Sequence, residues 1–286
     1  MLTAFSDSNP SCYAWVSQKS EGPFYCKKCN IEVILKKGLI KQHHFAHKPP
    51  KQCMFGYGES DIHYKAKKGI FEGLLAHANC TYCELEKPIE DVIPDVFAII
   101  NGVNVAIEVQ KSKMTVEEAI RRTKACHKNG LSVIWIIPNM DELKIYTDEG
   151  ESVCKAAKWK IFFHALGMGK LYVWAEHEAF VKVVHLSEFK RYVQESSYYD
   201  SYGDEVTHGG YHKALKTVKT VELAPFGEIN LADNFRASFR SKEFKTTNWS
   251  IPVCSTWADD KGFWWKQQRP KHRRDNLDFA SDNWDF

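Results

Sequence analysis

The sequence has no long apolar run. The longest, roughly Leu131 to Pro138, falls far short of the about 18 residues that a membrane span needs. It also lacks a strong charge of either sign. Its 39 Lys and Arg face 36 Asp and Glu, a net +3. Global charge therefore selects no polyanionic partner, and any basic site must be local. The opening residues Met1-Leu-Thr-Ala-Phe-Ser-Asp7 have neither a basic n-region nor an apolar core. No signal peptide is expected, and a cytoplasmic location is. Cysteines number nine, an odd count. Without an export signal they are expected to be reduced or metal-bound rather than paired as disulfides. These absences argue against a membrane protein, a secreted disulfide scaffold and a mostly disordered chain. What is present is ordinary: 286 residues, 44 % apolar and 26 % charged. At about 150 residues per domain this is one large domain or two small ones.

Charge is uneven along the chain. Residues 1–70 hold eleven Lys and five acids. From Lys261 to Arg274 there are six Lys or Arg and no acid, and from Asp275 onward four Asp and no basic residue. The stretch from Glu195 to Gly210, rich in Ser, Tyr, Asp and Gly, reads as a loop or linker.

The middle is the most legible part. Glu59 to His77 has helical composition, with Ile70, Leu74 and Leu75 on one stripe. Two Val- and Ile-rich runs, 92–100 and 103–110, are separated only by Asn101-Gly102, a strong two-residue hairpin signal. Thr115-Val-Glu-Glu118 predicts a capping box opening a helix that stops at Gly130. Leu131 to Pro138 then reads as a buried strand. The second helix is long enough for a crossover between parallel strands. The expected architecture is a mixed α/β sheet flanked by helices.

If Asn101 and Gly102 form the loop, Asp95 lies directly opposite Glu108, with Cβ atoms about 5 Å apart. Like charges placed there repel unless a hard cation with oxygen ligands, Mg²⁺ or Mn²⁺, resolves them. Gln110 projects from the same face. The other face (Val96, Ala98, Ile100, Val103, Val105, Ile107, Val109) is wholly apolar. Glu59, His63 and Lys67 are spaced four apart and stack on one helical face. Ser112 and Arg122 follow the hairpin. Two solvated acids at a sheet edge remain the bland alternative.

Cys26 and Cys29 form a thiolate knuckle, followed by His44, His47 and Cys53. Two close Cys and a later pair is the pattern of a structural Zn²⁺ site. The His44/His47 spacing is tighter than usual, so four of these five are expected to ligate, with Cys53 able to replace one His. His77, Cys80 and Cys83 form a weaker cluster that reads as core packing. In the C-terminal part, Phe263-Trp264-Trp265 runs into a basic segment, a combination that can bind single strands by stacking or be a solvated tail.

Glu59-Ser60-x2-His63-x3-Lys67, Pro94-Asp95-Val96, Ile107-Glu108-Val109-Gln110-x-Ser112, Arg122-Thr123 and Val133-Ile-Trp-Ile136, taken in order, resemble the competence CoiA-like family of bacterial proteins. His44-Phe-Ala-His47 upstream matches it as well. The resemblance covers roughly residues 20–180 and implies membership of the PD-(D/E)xK nuclease superfamily. It implies a restriction-endonuclease-like core over 57–185, a zinc-finger-like module over 1–56 and a C-terminal extension over 186–286. It also implies that Asp95 and Glu108 bind Mg²⁺ or Mn²⁺, that Glu59 helps from the first helix, and that Gln110 replaces the superfamily's usual lysine. Lys67 or Arg122 would then supply positive charge.

The leading expectation is a metal-dependent DNA endonuclease that grips DNA mainly through phosphates. The catalytic set is Glu59, His63, Lys67, Asp95, Glu108, Gln110, Ser112 and Arg122. The runner-up is a DNA-binding protein that does not cut and assists competence or recombination. A zinc-organised interaction module is the third. The ending Trp284-Asp285-Phe286 is similar to the acidic tips of bacterial single-strand-binding proteins, which raises a protein partner at that tip; a frayed or self-masking terminus is the alternative.

Overall fold

The computed structural model describes residues 1–49, 53, 55–56, 59–148, 151–245 and 249–267. The N-terminal residues form a small antiparallel sheet. Its strands are β1 (Thr3–Ser6), β2 (Asn9–Tyr13), β3 (Phe24–Tyr25), β4 (Glu32–Lys36) and β5 (His44–His47), in the order β2-β1-β3-β4-β5. Their inner side chains, among them Phe24, Val33, Leu35 and Phe45, make a separate small core.

The rest builds around one large mixed sheet. In chain order the elements are α1 (Asp61–Leu75), β6 (Cys80–Leu85), β7 (Val96–Ile100), β8 (Val103–Val109), α2 (Val116–Lys128), β9 (Ser132–Ile137), β10 (Ile145–Asp148), β11 (Glu151–Cys154), α3 (Lys158–Leu166) and β12 (Leu171–Trp174). Then come β13 (Phe180–Val193), β14 (Ser196–Tyr199), β15 (Glu205–His208), β16 (Tyr211–Asn230), β17 (Phe235–Arg240), β18 (Phe244–Lys245), β19 (Ser250–Ile251), β20 (Cys254–Asp259) and α4 (Trp264–Gln267). The sheet order is β10-β11-β16-β13-β12-β9-β8-β7-β6, with β20 joining β9 and β17 joining β20. α1 packs Ile70 and Leu74 against Val96, Ala98, Ile100, Val105 and Ile107 on one face. α2 and α3 cover Phe97 and Ala106 on the other.

The expected order of helix, strand, hairpin, helix and strand is present. Asn101 and Gly102 both take positive φ, 50° and 76°, as a two-residue hairpin loop of this twist requires. Ile100 faces Val103 and Val96 faces Ile107. β9 is parallel to β8, and α2 makes the crossover. The Thr115 hydroxyl accepts from the Glu118 N–H at 3.1 Å, but the Glu118 carboxylate turns to Arg121 instead, so only half of the capping box forms. Gly130 ends the helix at φ 69°.

Four expectations need correction. Glu59 and Asp95 lie just outside α1 and β7 rather than within them. Residues 195–210 are not a loop: β14 and β15 pair from Ser196 with His208 to Tyr199 with Glu205. Their polar sequence reflects a two-stranded ribbon with solvent on both sides. The boundary at 185/186 falls inside β13, and β16 and β20 belong to the same sheet as the site strands. Trp264 and Trp265 are buried, with Trp265 stacked 4.0 Å from His185, so neither indole is offered to a nucleic acid base. Cys80 and Cys83 lie in β6, and Cys83 packs into the core. The acidic tip lies outside the described residues. Among the described residues no helix is long and apolar enough to cross a membrane.

Candidate active site

The hairpin register points Asp95 at Glu108, yet their carboxylates diverge. The ladder ends at Val96, and Asp95 sits in a bend where its Oδ2 accepts the Val109 N–H at 2.9 Å. Freed from strict alternation, its side chain turns to α1. His63 Nε2 lies 3.3 Å from Oδ2, and Lys67 Nζ 3.3 Å from Oδ1. Glu108 remains in β8 on the opposite face, where Arg122 of α2 donates to its Oε2. The two acids thus avoid like-charge contact by taking different helices as partners.

The expected stripe comes together, with His63 and Lys67 on α1 and Glu59 just before it. His63 Nδ1 is 3.2 Å from Glu59 Oε1, so the imidazole bridges Glu59 and Asp95. Lys67 lies one turn deeper and is 1 % exposed. Its ammonium meets Glu59 at 2.7 Å, Asp95 at 3.3 Å and Glu86 at 2.5 Å. Lys67 therefore balances the charge of the acids from beneath rather than facing the cleft. Glu86 was not anticipated from the sequence. It is fully buried at the end of β6 with φ 50°. It accepts from the Leu2 and Thr3 N–H groups and the Thr3 hydroxyl, and so ties β1 to the base of the site. No periodic pattern marks it, because its backbone donors, Leu2 and Thr3, come from more than eighty residues away.

Burial and charge set the protonation states. Burial opposes ionisation of Glu59 and Asp95, but the Lys67 ammonium and His63 overcome it and hold both carboxyls well below the usual range. Burial would depress His63, yet Asp95 and Glu59 together raise its pKa to about 9. Burial would likewise depress Lys67, and its three acids hold it well above the ordinary value. Glu108 differs. Burial lifts it to about 7, Asp95 adds to the rise and Arg122 opposes it.

One donor atom each from Glu59, His63 and Asp95 lies within 4.8 Å of the others. Glu59 Oε2 is buried and accepts no hydrogen bond, although the Met1 ammonium is 3.1 Å away. Oxygen and imidazole donors around a small space suit Mn²⁺ or Mg²⁺. A cation there would displace the His63 proton. Glu108 stands outside this trio but lines the same cleft of about 730 Å³, together with Gln110, Arg121, Arg122, Lys27 and Lys28. The Gln110 amide donates to the Ser112 carbonyl at 3.0 Å and to its hydroxyl at 3.4 Å.

A second cluster joins Cys26, Cys29, His47 and Cys53, whose donor atoms also lie within 4.8 Å of one another. Cys29 Sγ and His47 Nε2 are 3.3 Å apart. His44 is absent from the cluster: its Nδ1 is 2.8 Å from the Gln42 carbonyl oxygen and its ring stacks on Tyr64. The reason is the strand. Residues three apart in β5 point to opposite faces, so His-x2-His presents only one imidazole to the knuckle. Burial pushes the Cys26 thiol up to about 12, a bias that a bound cation reverses by stabilising thiolate. Lys27 and Lys28, between the two knuckle cysteines, form one wall of the large cleft. Lys27 is tied to Glu84 at 2.8 Å.

Comparison with known proteins agrees with this layout. Residues 13–56 match the family described as competence protein CoiA, N-terminal domain. Residues 59–201, half of the chain, match competence protein CoiA, nuclease-like domain. Competence protein CoiA of Bacillus subtilis (strain 168) is 30 % identical over 115 residues, 40 % of this chain and 31 % of that relative. The aligned stretch thus spans under a third of the relative's length. No solved structure matches. The nuclease-like match contains Glu59, His63, Asp95, Glu108, Gln110 and Arg122, and the N-terminal match contains the Cys/His cluster. On both counts the chain belongs to the CoiA competence-protein family.

Proposed function

We propose that this protein is a metal-dependent DNA endonuclease with a PD-(D/E)xK-type core, hydrolysing phosphodiester bonds. The observation that carries the reading is the Glu59–His63–Asp95 donor set in the wall of a cleft shared with Glu108, Gln110 and Arg122. Glu59, Asp95 and Glu108, with His63, hold Mg²⁺ or Mn²⁺. A divalent cation at this place supplies Lewis acidity and a water of lowered pKa. Gln110 orients that water or the scissile phosphate. Arg122 offsets charge on the phosphate, and Lys67 keeps the acids ionised and in place. Zn²⁺ in the Cys26–Cys29–His47–Cys53 cluster fastens the module that presents Lys28 to the DNA backbone.

A second reading rests on Gln110. It stands where the superfamily carries a lysine, and the Lys67 ammonium is already taken up by three carboxylates. A nuclease-like protein that binds DNA without cutting it would tolerate both. Incubating plasmid and Mg²⁺ or Mn²⁺ with wild type and with Asp95→Ala decides between them. Nicking abolished by the substitution supports the nuclease. Retarded but intact DNA with both proteins supports the binding protein. Neither effect overturns both.

A further inference from the structure

The Glu108–Arg122 pair is oddly placed for a structural salt bridge. It lies in the wall of the cleft, where Glu108 would be of use to a cation, and the Arg122 guanidinium occupies it instead. Three facts make this contact releasable. Arg122 is 27 % exposed toward the cleft, whereas Glu108 is 2 % exposed. A single terminal nitrogen of Arg122 is engaged with Glu108, which leaves the rest of its five-donor fork available for a phosphate. The guanidinium lies 5.1 Å over the Trp135 ring. That ring is itself fixed, stacked 4.5 Å from Phe163 and donating to the Thr123 hydroxyl at 3.2 Å. Arg122 can therefore change partners while keeping its platform.

We infer that Arg122 is a substrate-released latch on Glu108, resting on the metal-site reading above. With the cleft empty, Arg122 holds Glu108 on the α2 side, apart from the Glu59–His63–Asp95 trio. A phosphodiester entering the cleft takes over the guanidinium, because a phosphate accepts its planar fork through two oxygens. Glu108, buried and stripped of its counter-charge, then gains most by turning to a cation beside Asp95. Cation and DNA thus bind with positive coupling, and the coupling runs through Arg122 as a positioning residue. Such coupling is reciprocal: whatever factor DNA adds to metal affinity, metal adds to DNA affinity.

The test uses zinc-loaded full-length protein, Mn²⁺ followed by electron paramagnetic resonance, and a phosphorothioate oligonucleotide that resists cleavage. In wild type the oligonucleotide should tighten Mn²⁺ binding about tenfold, within the usual range for coupled sites, and Mn²⁺ should tighten oligonucleotide binding by the same factor. Arg122→Gln should bind Mn²⁺ more tightly than wild type without the oligonucleotide, and adding the oligonucleotide should no longer change that affinity. Arg122→Lys, which keeps a charge beside Glu108, should retain the weak Mn²⁺ binding of the DNA-free wild type. Absence of coupling in wild type overturns the latch without reference to any variant. So does an Arg122→Gln protein that keeps the oligonucleotide effect. Asp95→Asn separates the two layers. If it binds Mn²⁺ like wild type, the metal-site reading falls and the latch with it. If it loses Mn²⁺ while Arg122→Gln behaves as wild type, only the latch falls.

Discussion

Replacing Lys67 by Met keeps the side chain's bulk and removes its charge. Its ammonium is the shared counter-ion of Glu59, Glu86 and Asp95, at 2.7, 2.5 and 3.3 Å. Removing one partner of a buried ion pair costs about 3–5 kcal/mol, since a charge is left uncompensated. Here three acids lose their partner, but each keeps some support. Glu86 retains the Leu2 and Thr3 donors, Asp95 the Val109 N–H, and both Asp95 and Glu59 keep His63. We therefore expect a loss of about 4 kcal/mol in urea unfolding, or about 10 °C in Tm for a chain of this size. Adding Glu86→Gln on top should return about 2 kcal/mol, the size of coupling seen between residues in contact. Mn²⁺ should stabilise Lys67→Met more than wild type, because a divalent cation can take over the lost counter-charge. A loss below about 1 kcal/mol, the ordinary effect of any point substitution, would refute the idea that Lys67 holds the acids together.

The remaining expectations are narrower. His44→Ala should leave about one zinc per chain by elemental analysis, while His47→Ala and Cys26→Ser strip it and loosen the N-terminal sheet, since closed sites contribute folding energy outright. Gln110→Lys should change stability by less than about 0.5 kcal/mol, because among the described residues the side chain bonds only to Ser112; it should raise the plasmid-nicking rate. Burial opposes ionisation of Glu84, but Lys27, Tyr82 and Ser11 bring its carboxyl down from 4.5 to about 2. A depressed acid stabilises the fold above its unfolded pKa. The gap in urea midpoint between wild type and Glu84→Gln should therefore be full above pH 4.5 and close as pH falls toward 2. A gap that persists at pH 2 would contradict the assignment.

Much of the candidate site's geometry is legible in the sequence, for local reasons. Asn101-Gly102 sets the hairpin register by turn geometry alone, and the register places Asp95 and Glu108 at one end of it. Thr115 and Gly130 bound α2 by short-range capping. His63 and Lys67 share a face because helical spacing compels it, and Glu59, just before α1, meets both. Illegible features depended on distant or irregular backbone. Glu86 gains its role from Leu2 and Thr3, which no window around residue 86 contains. The divergence of Asp95 from Glu108 follows from a ladder that ends one residue early. His44 and His47 split because their segment is a strand, whereas the metal-knuckle pattern assumes a turn or helix. The 195–210 ribbon was hidden because strand alternation signals burial of one face, and this ribbon buries neither.

β9 is flanked by β8 on one side and divides its other edge in two. β12 pairs with its second half at Ile136 and Ile137, and β20 pairs with its first half at Ser132 and Val133. During synthesis the site residues, β8 and β9 emerge long before Cys254–Asp259 leave the ribosome. Until then the start of β9, at Ser132 and Val133, carries an open strand edge, a template for pairing with another nascent chain. β20, the last strand among the described residues, thus acts as a late closure. A copy stopped before residue 254 would carry every proposed site residue and still be prone to clump. Its failure would show as inclusion bodies rather than as a loss of chemistry.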